Sequence, residues 1–213
     1  MSERRTRAAK LRRRAARRRR RRRMLRVVAI TASVAIVASA LLVALAWAMS
    51  PRQETYCVAQ PQDFPDAGIA GWDGEQLENA AVIVRTAQGM GFERDGQIIG
   101  VMAAMGESSL RNIDYGDWET SGVTNPDGTR TSSIGLFQQQ AWWGSVEQRM
   151  DPATAASLFY AKLARIAGWA QQPPSQAIHR VQVNTDPEHY AQFADDAEAV
   201  VDALSGECTA PLG

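Results

Sequence analysis

One stretch of this chain joins residue type and spacing in a way that points to acid–base chemistry. It is Met102-Ala103-Ala104-Met105-Gly106-Glu107-Ser108-Ser109-Leu110-Arg111-Asn112, followed after a loop by Ser132-Ser133-Ile134-Gly135-Leu136-Phe137-Gln138-Gln139. In the first segment an apolar helix ends on a glutamate. Apolar surroundings and the negative end of the helix dipole both disfavour ionisation, so the Glu107 carboxyl should titrate high. A carboxylic acid that stays protonated near neutral pH can give its proton to a glycosidic oxygen as the sugar C–O bond breaks. The competing reading is structural: Glu107 caps the helix or pairs with Arg111, four residues on.

Other chemistries find little support. The chain has no His-Glu-x-x-His, no phosphate-binding P-loop, no Gly-x-Ser-x-Gly elbow and no dinucleotide fingerprint. Its two histidines, His179 and His189, fall on different expected helices and read as surface or packing groups, not metal ligands. No metal and no cofactor is expected. Hydrolysis with inversion would need a second carboxylate to activate water, and Asp114, Asp117 and Asp127 lie in the loop after Glu107. Each of these serves equally well as a turn residue bonded to nearby backbone. Trp142 and Trp143 could stack on sugar rings or pack in the core.

Taken together, Glu-Ser-x-Leu-x-Asn, a loop, and Ser-x-Gly-Leu-Phe-Gln resemble the goose-type lysozyme and soluble lytic transglycosylase superfamily. The likeness is loose over residues 72 to about 205 and close in these two motifs. Trp72-Asp73, Glu75-Gln76, Asn79-Ala80, Asn112-Ile113-Asp114-Tyr115-Gly116-Asp117 and Trp143-Gly144 look more narrowly like exported transglycosylase-like domains of actinobacteria. The resemblance implies a mainly α, lysozyme-like domain with a long active-site loop and Glu107 as catalytic acid. It further implies that Ser108 orients the acid or touches substrate. Asn112, Gly135, Gln138, Gln139 and Trp143 would line the substrate cleft. The family's late Ala-Tyr-Asn-x-Gly motif is not matched: the chain offers Val181-Gln182-Val183-Asn184 and, further on, Tyr190, which is assigned a cleft role in its place. The implied activity is cleavage of the β-1,4 bond between N-acetylmuramic acid and N-acetylglucosamine in peptidoglycan glycan strands. In such enzymes one glutamate acts first as acid and then as base toward the muramyl 6-hydroxyl, leaving an anhydro sugar. The rival expectation is a non-catalytic glycan-binding or scaffold domain of an envelope, secretion or conjugation assembly.

The elements that must position these residues read as helices. Asp73 with Gln76 has the form of a capping box ahead of Leu77, Ala80, Ala81, Val84 and Ala87, with Gly89 and Gly91 as the stop. A second helix is expected from Arg94 to Gly106, burying Ile98, Val101, Met102 and Met105. Asp151-Pro152 and Asp186-Pro187 set an N-cap before a first-turn proline, predicting helices over about 152–168 and 187–205. Pro173-Pro174 opens a shorter one. Residues 112–133, with Gly116, Gly122, Asn125-Pro126 and Asp127-Gly128, read as a long loop that could hold a short hairpin.

Charge divides the chain. Residues 1–26 hold 15 of its 24 Lys and Arg against Glu3 alone, while the remainder is acidic, with 22 Asp and Glu against 9 basic residues. The uncharged residues 27–49 could reach roughly 35 Å as a helix, against about 30 Å of bilayer hydrocarbon. With the Arg tail on one flank, this predicts a single-pass signal anchor in the cytoplasmic membrane, N-terminus inside and the domain extracytoplasmic. Cleavage near Ala48 and secretion is the alternative. The tail has no interleaved aromatics, so it reads as a topology determinant that meets anionic lipid and not as a nucleic-acid arm. Residues 50–71, rich in Pro and Gly, read as a linker, residues 72–208 as the domain and residues 209–213 as a tail. Cys57 and Cys208, both on the oxidising side, are expected to pair.

Overall fold

The structure is a computed structural model that describes Met24, residues 38–43, Leu45, residues 54–184 and residues 186–208. The chain divides into two units, Met1–Arg52 and Gln53–Gly213. In the first unit the described residues are helical and exposed. No helix among the described residues is long and apolar enough to cross a membrane. Beyond those few positions, the expectations for residues 1–26, for the anchor over 27–49 with its cleavage alternative near Ala48, and for residues 209–213 lie outside the described residues.

The second unit is built from helices and irregular segments, with isolated bridges but no strand among the described residues. Its first two helices are α1, Glu75–Gly89, and α2, Arg94–Ser108. Buried residues cover almost every face of α2 from Ile98 to Met105, so it is the central helix, packed by α1 and by helices from later in the chain. A helix apolar all round is one that other elements surround. After it come the short α3, Asp117–Ser121, and α4, Val146–Met150. Then follow α5, Pro152–Leu163, α6, Pro174–Gln182, and α7, Ala194–Ala203. The core joins Leu77 and Ile83 of α1, Met102 and Met105 of α2, and Phe159 and Tyr160 of α5 to Leu136, Phe137 and Tyr190.

Several sequence expectations are corrected. The capping box at Asp73 is half formed: Gln76 Oε1 accepts from the Asp73 N–H at 3.4 Å, but the N-cap position falls on Gly74, which has no side chain to return the bond. The helix opened by Asp151 is as expected, its carboxylate taking the Thr154 N–H at 2.9 Å, yet α5 stops at Leu163. Asp186-Pro187 opens a turn and not a helix. Asp186 Oδ1 accepts from the Glu188 N–H at 2.9 Å, while Ser175 Oγ donates to the Pro187 carbonyl at 2.6 Å and accepts from the Tyr190 N–H at 3.2 Å. These tertiary bonds hold the chain until α7 begins at Ala194. The loop over 112–133 contains α3, and its hairpin is reduced to one bridge, Thr124 with Arg130.

The stretch assigned to a linker belongs in good part to the compact unit. Val58 is in the core, with Phe64, Ile69 and Trp72 packed against it. Backbone bonds from Tyr56 N–H to the Ala203 carbonyl and from Gly206 N–H to the Tyr56 carbonyl join this stretch to the end of α7. Cys57 and Cys208 form a disulfide beside them, with Cα atoms 4.7 Å apart. By chain entropy, closing a loop of this length stabilises the fold by roughly 4–5 kcal/mol.

Candidate active site

Glu107 is the penultimate residue of α2. Beyond the helix the backbone takes two consecutive left-handed residues, Ser109 at φ 54° and Leu110 at φ 58°, the latter fully buried. That conformation costs a non-glycine residue roughly 1–2 kcal/mol. It is held by side-chain amides from α1: Gln76 Nε2 donates to the Ser109 carbonyl and Asn79 Nδ2 to the Leu110 carbonyl, both at 2.8 Å. Gln76 and Asn79 therefore fix the end of the helix that carries Glu107. The sequence singled them out by resemblance, and Gln76 also as a capping residue, but gave neither a role at the end of α2.

The Glu107 side chain makes no ion pair among the described residues, and Arg111 is exposed. Instead, the Tyr190 hydroxyl donates to Glu107 Oε1. The tyrosine is fully buried, and its ring lies against Gly106: a Cβ there would stand 2.5 Å from Tyr190 Cδ1. Gly106 thus admits the ring beside the carboxyl. Protein atoms crowd the carboxyl although the residue keeps some surface open to solvent, and this desolvation pushes its pKa from 4.5 up to about 7. The negative charge of Asp117 pushes the same way, and the Tyr190 hydrogen bond opposes both. Burial in turn raises the Tyr190 phenol, as does the Glu107 carboxylate, while the nearby Asn184 amide works in the other direction. Crowded yet reachable, Glu107 can hold a proton at neutral pH and release it to an arriving group.

Ser108 points elsewhere. Its hydroxyl stands 2.8 Å from the Leu136 carbonyl and 3.3 Å from that of Ala104, so it ties α2 to the Gly135–Gln138 segment without meeting Glu107. The backbone on both sides of that segment is held by Arg149, which sequence reasoning missed. This guanidinium is buried and donates to the carbonyls of Ser132 at 2.6 Å, Gln139 at 2.9 Å and Gly144 at 3.1 Å. No pattern in the sequence marks it, because its partners are backbone oxygens scattered along the chain. Gly135, at φ 78°, donates its N–H to the Ile113 carbonyl at 2.7 Å, and a side chain there would collide with the Arg149 carbonyl. Asn112 Nδ2 donates to the Met150 carbonyl at 2.7 Å.

Two cleft expectations are corrected by placement. Gln139 is buried, and its Nε2 donates to the Ala155 carbonyl at 2.9 Å, so it braces the core. The Trp143 ring carries Lys162 Nζ 3.6 Å above its centre and packs on the core. Asp127 is the turn residue of the competing reading, accepting from the Thr129 N–H at 2.9 Å and its hydroxyl at 2.6 Å. Gln138 is half-buried and bonds the Tyr115 and Gly135 carbonyls, both at 3.2 Å. Asp114 is exposed. Of the three aspartates, Asp117 at the start of α3 is the one whose charge bears on Glu107. Two cavities elsewhere, of about 450 Å³ beside Pro65 and Glu78 and about 210 Å³ beside Ile98 and Trp169, do not include Glu107 in their walls. No protein-family model matches the chain, and no curated protein matches it.

Proposed function

We propose that this chain is a peptidoglycan-cleaving enzyme with a lysozyme-like fold, acting on the β-1,4 bond between N-acetylmuramic acid and N-acetylglucosamine as a lytic transglycosylase. The observation that carries the reading is the Glu107 carboxyl: crowded, in no ion pair among the described residues, hydrogen-bonded to Tyr190 and with its pKa raised to about 7. Such a group can protonate the leaving glycosidic oxygen and afterwards, as carboxylate, take the proton of the muramyl 6-hydroxyl that closes the anhydro ring. The Tyr190 hydroxyl stabilises that carboxylate between the two steps. The Glu-Ser and Gly-Leu-Phe-Gln motifs, which resemble those of the transglycosylases, supply the substrate class.

Asp117 supports a second reading, hydrolysis by a muramidase, because a carboxylate near the acid could activate water. Product mass decides between them. Incubation of the domain with purified sacculi should release muropeptides with anhydromuramic ends, whereas reducing ends would mark the hydrolase. Glu107→Gln should lose about 10²- to 10⁴-fold in release rate. A folded Glu107→Gln variant releasing muropeptides at the parent rate would overturn the assignment of the acid.

A further inference from the structure

We infer that Trp142 is a glycan-binding residue, its indole face taking a sugar ring of the strand at a distance from the bond that Glu107 protonates. This rests on the reading of the chain as a peptidoglycan-cleaving enzyme. The sequence left Trp142 and Trp143 between sugar stacking and core packing, and the structure separates them. Five tryptophans are described, and four are partnered. Trp72 packs on Phe193 and donates to Asp196, Arg130 lies over Trp118, Lys162 lies over Trp143, and Trp169 tilts against Phe92. The Trp142 indole has no ring, cation or hydrogen-bond partner among the described residues and is 68% exposed. An indole is among the largest apolar surfaces a side chain offers, and leaving it in water forgoes the gain of burial.

The backbone around this exposed ring is fixed. The buried Arg149 donates Nη1 to the Gln139 carbonyl at 2.9 Å and Nε to the Gly144 and Ser145 carbonyls at 3.1 and 3.3 Å, closing residues 139–145 into a bow with Trp142 inside its span. The Trp143 ring pins the bow to the core, and the Ala141 N–H donates to Ser132 Oγ at 2.9 Å. Ser132 opens the segment that runs to Leu136, whose carbonyl accepts from Ser108, the neighbour of Glu107. Four residues of chain span at most roughly 14 Å, so indole and acid stand on one short connected frame. A ring whose support is already rigid loses little freedom when a ligand covers it.

The chemistry around the ring selects the occupant. A pyranose presents C–H bonds on its faces and hydroxyls at its edge; the slightly positive C–H groups are attracted to the negative face of an indole. The hydroxyls need polar neighbours, and the exposed Ser145, Glu147 and Gln148 follow directly. Gln148 folds back over Gly144, where a Cβ would stand 2.7 Å from its Oε1, and its Nε2 donor has no partner among the described residues. A lipid surface asks for the opposite, a wide apolar face rimmed by cations. Apart from Val146 the neighbours of Trp142 in this stretch are small or polar, and Glu147 would repel anionic headgroups.

The test titrates the full chain carrying Glu107→Gln, disulfide intact and in neutral detergent, with oligomers of β-1,4-linked N-acetylglucosamine. Binding is then read without cleavage, and these sugars carry no charge for the Arg-rich tail to attract. Adding Trp142→Ala should weaken binding about tenfold with Tm unchanged, and Trp142→Tyr should restore most of it. Indole emission should shift to the blue on binding in the parent but not in Trp142→Phe, which keeps a ring and removes the reporter. With Glu107 intact, Trp142→Ala should raise the KM for peptidoglycan strands by more than it lowers kcat. Binding by Trp142→Ala as tight as the parent's overturns the inference. Emission quenching by brominated phosphatidylglycerol vesicles that Trp142→Phe abolishes would make lipid the occupant and overturn it too, as would self-association in sedimentation that Trp142→Ala abolishes. Trp142-dependent binding in a chain that cleaves no glycan would sustain the sugar site and refute the enzyme. Cleavage by Trp142→Ala with the parent's KM would do the reverse.

Discussion

Glu107→Gln provides a thermodynamic test that is independent of catalysis. In the folded domain the carboxyl titrates near 7 against an ordinary 4.5, because burial and Asp117 together outweigh the Tyr190 hydrogen bond. A raised folded pKa means that the native state binds more protons than the unfolded chain between those two values. Stability from this group is therefore fully present below pH 4.5 and is lost as pH rises to about 7. At about 1.4 kcal/mol per pH unit the loss is about 3.5 kcal/mol, and solvent access on the open side reduces it toward 2. The amide cannot ionise and still accepts from Tyr190, so Glu107→Gln should match the parent at pH 4 and exceed it by about 2–3 kcal/mol at pH 8. In a domain of this size that is about 4–12 °C in Tm. Paired thermal melts by circular dichroism at both pH values cancel every other titrating group, since parent and variant share them. An equal difference in Tm at pH 4 and pH 8 would refute the raised pKa and with it the physical basis of the acid.

Release of muropeptides by the parent domain should fall as pH rises through about 7, the protonated carboxyl being the active form; a rate flat from pH 5 to 9 would exclude Glu107 as the acid. Tyr160→Phe should stabilise the domain by about 1 kcal/mol in urea unfolding, because the hydroxyl it removes is buried without a hydrogen-bond partner among the described residues. A loss of stability would reveal a partner for that hydroxyl. Gly106→Ala should cost about 1–3 kcal/mol and lower activity together, since its Cβ would stand 2.5 Å from the Tyr190 ring; unchanged stability would mean the ring yields freely.

The raised Glu107 carboxyl and its helix were legible because both depend on local pattern. Apolar residues at helical spacing ran up to a glutamate, and α2 buries the four predicted positions, Ile98, Val101, Met102 and Met105. Asp151 capped its helix as expected because Thr154 lies within the same turn. What failed was set by distant partners. Asp186-Pro187 carries the same signal, yet Ser175, from another helix, captures the chain on both sides of the turn and delivers Tyr190 to Glu107. Gln139 looked like a cleft residue by its place in a motif, but its side chain points to the start of α5. The Pro-rich stretch before Trp72 has no periodicity to read, since it is held by a disulfide, a few backbone bonds and single apolar side chains.

The disulfide has a mechanical consequence. Cys57 and Cys208 lie 151 residues apart in sequence and 4.7 Å apart at their Cα atoms, so nearly the whole compact unit hangs from one covalent junction. Tension applied between a point before Cys57 and a point after Cys208 would pass from sulfur to sulfur and leave the helices unstretched. The alignment of Glu107 with Tyr190 would then be shielded from a pull that, in the reduced protein, would peel Tyr56 from Ala203 and begin to unravel α7.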